Sequence, residues 1–132
     1  MSFALPASPA PVFEPLPIDG GQGLPQAFPF SFDGVLYRFR LYANVAAEEL
    51  GDGSEIYSLP TPGGAHMTVR VERQDPGGTT ETIFLRKVVP GVIYAVGPIL
   101  LTFPDQRLSR FNLNGRGQAG SLLSGGIARR WA

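Results

Sequence analysis

Cysteine is absent from this 132-residue chain, which removes disulfide staples, thiolate metal ligands and a Cys nucleophile together. Histidine is nearly absent. His66 is the only one, so a Ser-His-Asp or Cys-His arrangement has at most a single base to draw on. Charged residues make up 17%, below the usual share of about a quarter. No uninterrupted apolar run approaches the ~20 residues that a membrane helix needs; the longest, VVPGVIYAVGPILLTF, is broken by Pro90, Gly91, Gly97 and Pro98. The opening MSFALPASPAPVFEPLP has neither a basic n-region nor a continuous apolar h-region, so the expectation is a soluble chain with no secretory signal and no membrane partner.

What the chain does have is punctuation. Seventeen Gly and thirteen Pro favour many short strands joined by turns over long helices. The length fits one domain with a single core. Residues 1–25 hold Pro6, Pro9, Pro11, Pro15, Pro17 and Pro25 interleaved with single hydrophobes. Proline removes amide donors and pre-sets an extended φ, so this segment reads as an arm lying along a surface, its own or a neighbour's. The stretch IDGGQGLP that follows reads as a flexible hinge.

Pro29 to Leu41, PFSFDGVLYRFRL, is a β-hairpin on local grounds alone. Asp33-Gly34 is a favoured two-residue turn. Pairing across it sets Phe32 opposite Val35, Phe30 opposite Tyr37 and Phe28 opposite Phe39 on one face; Ser31–Leu36, Pro29–Arg38 and Ala27–Arg40 fall on the other, mixed and partly basic face. A slip of one residue would turn the aromatics into water, so the register is fixed. After a long acidic connection containing a short strand at 56–59 and a possible helical turn in AAEEL, a second hairpin runs from Met67 to Arg73, turns at QDPGGT, and returns from Thr80 to Val88. Met67, Val69 and Val71 alternate with Thr68, Arg70 and Glu72 as a half-buried strand should. Strands at 92–95 and 99–103 follow, with another in DQRLSRFNL. The boundaries expected are an extended N-terminal arm at 1–25, an all-β domain at 26–112, and a loose Gly/Arg-rich C-terminal tail at 113–132.

Motifs that would carry chemistry fail on context. GDGSE echoes a calcium loop without its twelve-position ligand spacing. GRGQAG satisfies G-x-G-x-x-G at Gly115, Gly117 and Gly120, but SLLSGGIARRW behind it leaves no room for a βαβ unit. His66 reads as a solvated loop residue. No cofactor, metal site or catalytic group is expected, and the chain does not read as an enzyme. Formal charge is zero but divided: residues 1–66 carry seven acids against Arg38 and Arg40, and residues 67–132 carry nine bases against four acids. Such a chain can dock against copies of itself or other subunits. Arg107, Arg110, Arg116, Arg129 and Arg130, with Phe111 and Trp131, would suit a strand-binding groove, yet the overall charge of zero disfavours nucleic acid.

The run AFPFSFDGVLYRFRLYANV resembles the opening of bacteriophage baseplate plug proteins and related small tail-tip structural subunits. The shared features are a Pro-containing lead-in ending in Gln and an aromatic (Pro25, Gln26, Phe28), a strand to Phe32, the tight turn Asp33-Gly34, and a strand through Tyr37 and Leu41 ending at Tyr42 and Asn44. LRKVVPGVIYAVGPILLTF is similar to the second half of that family, where a strand, a Gly turn and an apolar strand close the barrel. In place of an aromatic-rich strand soon after Asn44, this chain has the acidic VAAEELGDGSE. The resemblance implies a structural virion component of a phage tail or baseplate, a plug or adaptor assembled in the host cytoplasm. Its neighbours would be tube, hub, spike or wedge subunits, with homo-oligomeric copies in a ring.

The expected fold is a small antiparallel β-barrel or sandwich of about six to eight strands with extended arms. Phe3, Leu5 and Phe13 of the N-terminal arm, and Ile127, Arg129, Arg130 and Trp131 of the tail, are the expected inter-subunit anchors. Two other readings stand beside it. One is a stand-alone β-sandwich recognising carbohydrate through Tyr37, Tyr42, Tyr57 and Trp131; the other is a barrel binding single-stranded nucleic acid.

Overall fold

The computed structural model describes residues 11–20, 22–45, 56–109 and 121–131. Among them the fold is all-β, with antiparallel pairing throughout. Eleven strands run β1 (Glu14–Pro15), β2 (Gln26–Phe32), β3 (Val35–Asn44), β4 (Ile56–Ser58), β5 (His66–Gln74), β6 (Thr80–Val88), β7 (Ile93–Val96), β8 (Ile99–Thr102), β9 (Gln106–Ser109), β10 (Leu122–Leu123) and β11 (Gly126–Arg129). They form three sheets in the orders β2-β3-β5-β6, β1-β11-β8-β7 and β10-β9-β4. The count exceeds six to eight because several strands are only two to four residues long, and no sheet closes into a barrel. AAEEL lies outside the described residues.

The first hairpin has the expected register, from Phe32↔Val35 to Gln26↔Leu41. Asp33 and Gly34 both take positive φ, 54° and 79°, as a type I′ turn requires and as Asn, Asp and Gly tolerate best. Phe28 stacks on Phe39 with ring centroids 5.2 Å apart. Strand β3 then pairs along its other side with β5, Phe39 meeting Val71 and Leu41 meeting Val69. Tyr37, Phe39, Leu41, Met67, Val69 and Val71 are buried, so the period-2 alternation of both strands points to one core. Between β5 and β6 the register shifts at Val71/Glu72, leaving Ile83 as the extra residue of a β-bulge. A bulge beside Arg86 and Lys87 blunts the free edge of β6 against pairing with another chain.

The strands of the third hairpin, β7 and β8, bring Tyr94, Val96, Ile99 and Leu101 to the same core, where Ile127, Leu108 and Leu123 complete it. Phe84 and Tyr94 meet edge to face at 5.6 Å. Burying the Tyr94 ring leaves its hydroxyl to be satisfied, and Oη accepts a hydrogen bond from the Val89 amide at 2.8 Å.

The C-terminal segment departs from the sequence-based expectation. Residues 122–129 are not a loose tail: β10 pairs with β9, and β11 lies inside its sheet between β1 and β8. The glycines that suggested flexibility serve close packing instead. A Cβ on Gly126 would stand 2.9 Å from Phe13 Cβ, and one on Gly125 would stand 2.8 Å from Ile18 Cδ1 and 2.9 Å from Phe103 Cδ1. The Pro-rich arm does lie along a surface, that of its own domain, with Leu16 buried and its amide donating to the Gly125 carbonyl at 2.9 Å. The described residues of the expected hinge, 18–20 and 22–25, are fastened and not loose. Buried Gln26 accepts from the Asp19 amide at 3.0 Å and donates to the Asp19 and Gly23 carbonyls at 2.9 and 2.8 Å, so its whole amide is saturated by the loop it holds.

Candidate functional site

The short ladder Glu14↔Ile127, Pro15↔Gly126 decides where the chain ends go. Antiparallel pairing sends residues 11–13 and residues 128–131 away from this ladder in the same direction. They leave beside the tip of the first hairpin, where Arg129 Nη2 sits 2.7 Å from Asp33 Oδ1. Val12, Glu14, Ser31, Phe32, Asp33 and Arg129 line an open cleft of about 480 Å³ there.

One step on, the Arg130 amide donates to the Pro98 carbonyl at 2.9 Å and its Nη1 to the Gly97 carbonyl at 3.4 Å. These bonds tie the chain end to the β7–β8 turn. The Arg130 guanidinium lies over the Trp131 ring, 4.8 Å from its centroid, which is cation–π geometry. Trp131 nonetheless remains 62% exposed, and Val12, which lines the cleft, 85%. An exposed tryptophan with an arginine on its face, held by a short turn, has the composition of a binding hot spot.

The expected anchor residues divide accordingly. Phe3 and Leu5 lie outside the described residues. Phe13 is half-buried against Gly126. Ile127 is not an anchor: at 0% exposure it belongs to the domain's own core, because β11 is an interior strand of its sheet. Arg129 is committed to Asp33. Arg129, Arg130 and Trp131 are all exposed, and of the three it is Arg129 that makes an ion pair. Val12 escaped notice in the sequence, since nothing local distinguishes it from the other hydrophobes of the arm.

Other candidate chemistry resolves residue by residue. His66 is the first residue of β5, not a loop residue, and both ring nitrogens are engaged. Nδ1 donates to the Gly64 carbonyl at 2.9 Å, which leaves Nε2 to accept from Asn44 Nδ2 at 3.0 Å. Among the described residues no group of three or more His, Cys, Asp or Glu is placed to hold a metal ion. No helix among them is long and apolar enough to cross a membrane. The GDGSE and GRGQAG motifs, Arg110, Phe111 and Arg116 lie outside the described residues.

The carbohydrate reading loses its central aromatic. Tyr37 is 2% exposed, and burial raises its hydroxyl pKa above the ordinary 10.0, with Arg73 pulling it down and Asp33 pushing it up by lesser amounts. A ring in the core is no stacking platform. Tyr42 is half-buried on the opposite face, and the side chain of Tyr57 is outside the described set. Comparison of the chain with protein-family models, curated proteins and solved structures returns no match.

Proposed function

We propose that this protein is a structural subunit of a phage tail or baseplate, a plug or adaptor that works by contact with neighbouring subunits. The observation that carries the reading is exposed Trp131 with the Arg130 guanidinium over its ring, fixed beside the β7–β8 turn at one end of the domain. The aromatic and Arg pair at that end supplies the contact chemistry on which interfaces concentrate binding energy. The neighbours are tube, hub, spike or wedge subunits, with copies of this chain arranged in a ring, and the place of action is the virion.

Co-expression with phage tail tube and hub subunits from the same genome tests this. The full chain should co-purify as part of a ring. Deletion of residues 1–11 together with Trp131→Ala should abolish that co-purification while leaving a cooperative thermal transition. A doubly altered chain that still enters the ring overturns the proposal, as does a neighbouring gene set without tail components.

A further inference from the structure

The outer face of the sheet β2-β3-β5-β6 carries more positive charge than it can neutralise. Period-2 alternation that sends Tyr37, Phe39 and Leu41 inward sends Arg38 and Arg40 outward, and β5 adds Arg70 in the same way. In the register Arg40 stands directly opposite Arg70, a like-charge pair that costs stability unless something shields it. Glu72 is the shield. Its Oε1 lies 3.8 Å from Arg40 Nε and 3.5 Å from Arg70 Nε, while Arg38 faces Glu72 across the ladder.

These are long contacts, shared through one oxygen. Arg38 makes its own reach to Gln74 Oε1, 3.5 Å away, and Arg70 Nη2 donates to Thr82 Oγ1 at 3.0 Å. Lys87, opposite Thr68, is on this face too. Glu72 thus reaches two of the guanidiniums, Arg40 and Arg70, and among the described residues no ion pair is made by Arg38 or Lys87 on this face. Next to them the edge strand β2 presents only Ala27, Pro29 and Ser31. The small side chains leave a depression of about 160 Å³ walled by Arg38 and Arg40.

We infer that this face docks an acidic protein surface, a neighbouring subunit presenting two or more carboxylates to the Arg38, Arg40 and Arg70 guanidiniums. The inference rests on the subunit reading above and names the chemistry of one neighbour. Charge complementarity selects the occupant. Guanidinium forks spaced along a strand accept carboxylates bidentately, which a compact ammonium does not. Single-stranded nucleic acid would need stacking platforms, and the one aromatic on this face among the described residues is half-buried Tyr42. The bulge in β6 and Pro29 in β2 disfavour pairing at the two edges of this sheet, which leaves its outer face as the better docking surface.

The test is fluorescence anisotropy at low salt with two labelled probes, a short oligoglutamate peptide and a thymidine oligonucleotide of equal charge. Oligoglutamate should bind, and Arg38→Gln/Arg40→Gln should weaken it about tenfold with an unchanged thermal midpoint. Arg73→Gln/Arg107→Gln, which removes equal charge elsewhere, should leave it unaltered. Equal weakening by the two double variants, tighter binding of the oligonucleotide, or no binding of oligoglutamate overturns the inference. So does low-salt self-association that Arg38→Gln/Arg40→Gln abolishes, because the occupant is then another copy. Peptide binding requires no assembly, so failure here is separable from failure of the ring experiment.

Discussion

Arg129 and Asp33, 96 residues apart in sequence, meet at 2.7 Å. The contact joins the last strand to the tip of the first hairpin, and so joins the basic half of the chain to the acidic half within one subunit. Part of the charge asymmetry that suggested docking between copies is therefore spent internally. Both side chains are more than half exposed, and an exposed pair of this kind contributes at most about 1 kcal/mol. Arg129→Gln and Asp33→Asn should each lower the urea-unfolding free energy by no more than that, with a coupling energy that fades as salt is raised. Asp33→Asn is the right partner for the cycle because Asn, like Asp, tolerates the φ of 54° at this turn. A coupling several-fold above ~1 kcal/mol would mean that the pair is desolvated in solution.

The described glycines separate into those with close neighbours and those without. Gly125→Ala and Gly126→Ala drive a methyl into Ile18, Phe103 or Phe13, and overpacking of a closed contact costs about 1–3 kcal/mol. Gly20→Ala meets the Ser121 carbonyl oxygen at 2.8 Å, a backbone atom less able to give way than a side-chain end. Gly77→Ala, by contrast, meets nothing within 4 Å and should leave the melting midpoint where it is. A scan of the four by thermal unfolding checks the ordering. If Gly125→Ala melts like Gly77→Ala, the arm does not pack on β11.

Tyr37 makes a pH-dependent prediction. Its hydroxyl titrates at a higher pH in the folded chain than the ordinary 10.0, first because of burial. The unfolded chain therefore loses the proton at a lower pH than the folded one, and ionisation favours unfolding. The sign follows: the contribution is fully present below pH 10.0 and is lost as the pH climbs through the raised folded value. Urea midpoints of the wild type should fall in that alkaline window, and those of Tyr37→Phe should fall less. Absorbance of the tyrosinate across the same range should show a late component that Tyr37→Phe removes.

The parts of the fold legible in the sequence are those decided locally. Asp33-Gly34 specifies its turn and the flanking alternation specifies a face, so six pairs of the first hairpin could be written down from the sequence and recur in the ladder. The second hairpin, bounded by QDPGGT, is equally local. Ile127 was illegible for the opposite reason. Its neighbours Gly125, Gly126 and Arg129 look like tail residues, and what makes the segment a strand is Ile99 to Thr102 on one side and Glu14 on the other. The basic outer face was half legible: Arg38 and Arg40 showed on the hairpin, but Arg70 joins them only through a β3–β5 pairing made across a long connection. At the candidate site, Arg130 and Trp131 stood out by type, whereas Val12 and the Asp33 partner of Arg129 depend on strands β1 and β11 meeting.

Ile127 and Trp131, four residues apart, should fail in different ways when cut to alanine. Ile127 is fully buried and touches the shared core of all three sheets, so Ile127→Ala removes packed methylenes and should cost about 2–5 kcal/mol. Any loss of assembly would then follow from unfolding and be rescued by Ile127→Val, which costs about 0.5–1.5 kcal/mol. Trp131 is exposed and carries Arg130 on its face. Trp131→Ala should move stability by no more than about 0.5 kcal/mol, yet weaken the contact with a neighbouring subunit by about 2 kcal/mol or more if the ring is a hot spot. Urea unfolding read beside ring co-purification distinguishes the two. A stable Ile127→Ala chain would put β11 outside the core, and a Trp131→Ala chain that assembles normally would leave the exposed ring without a partner.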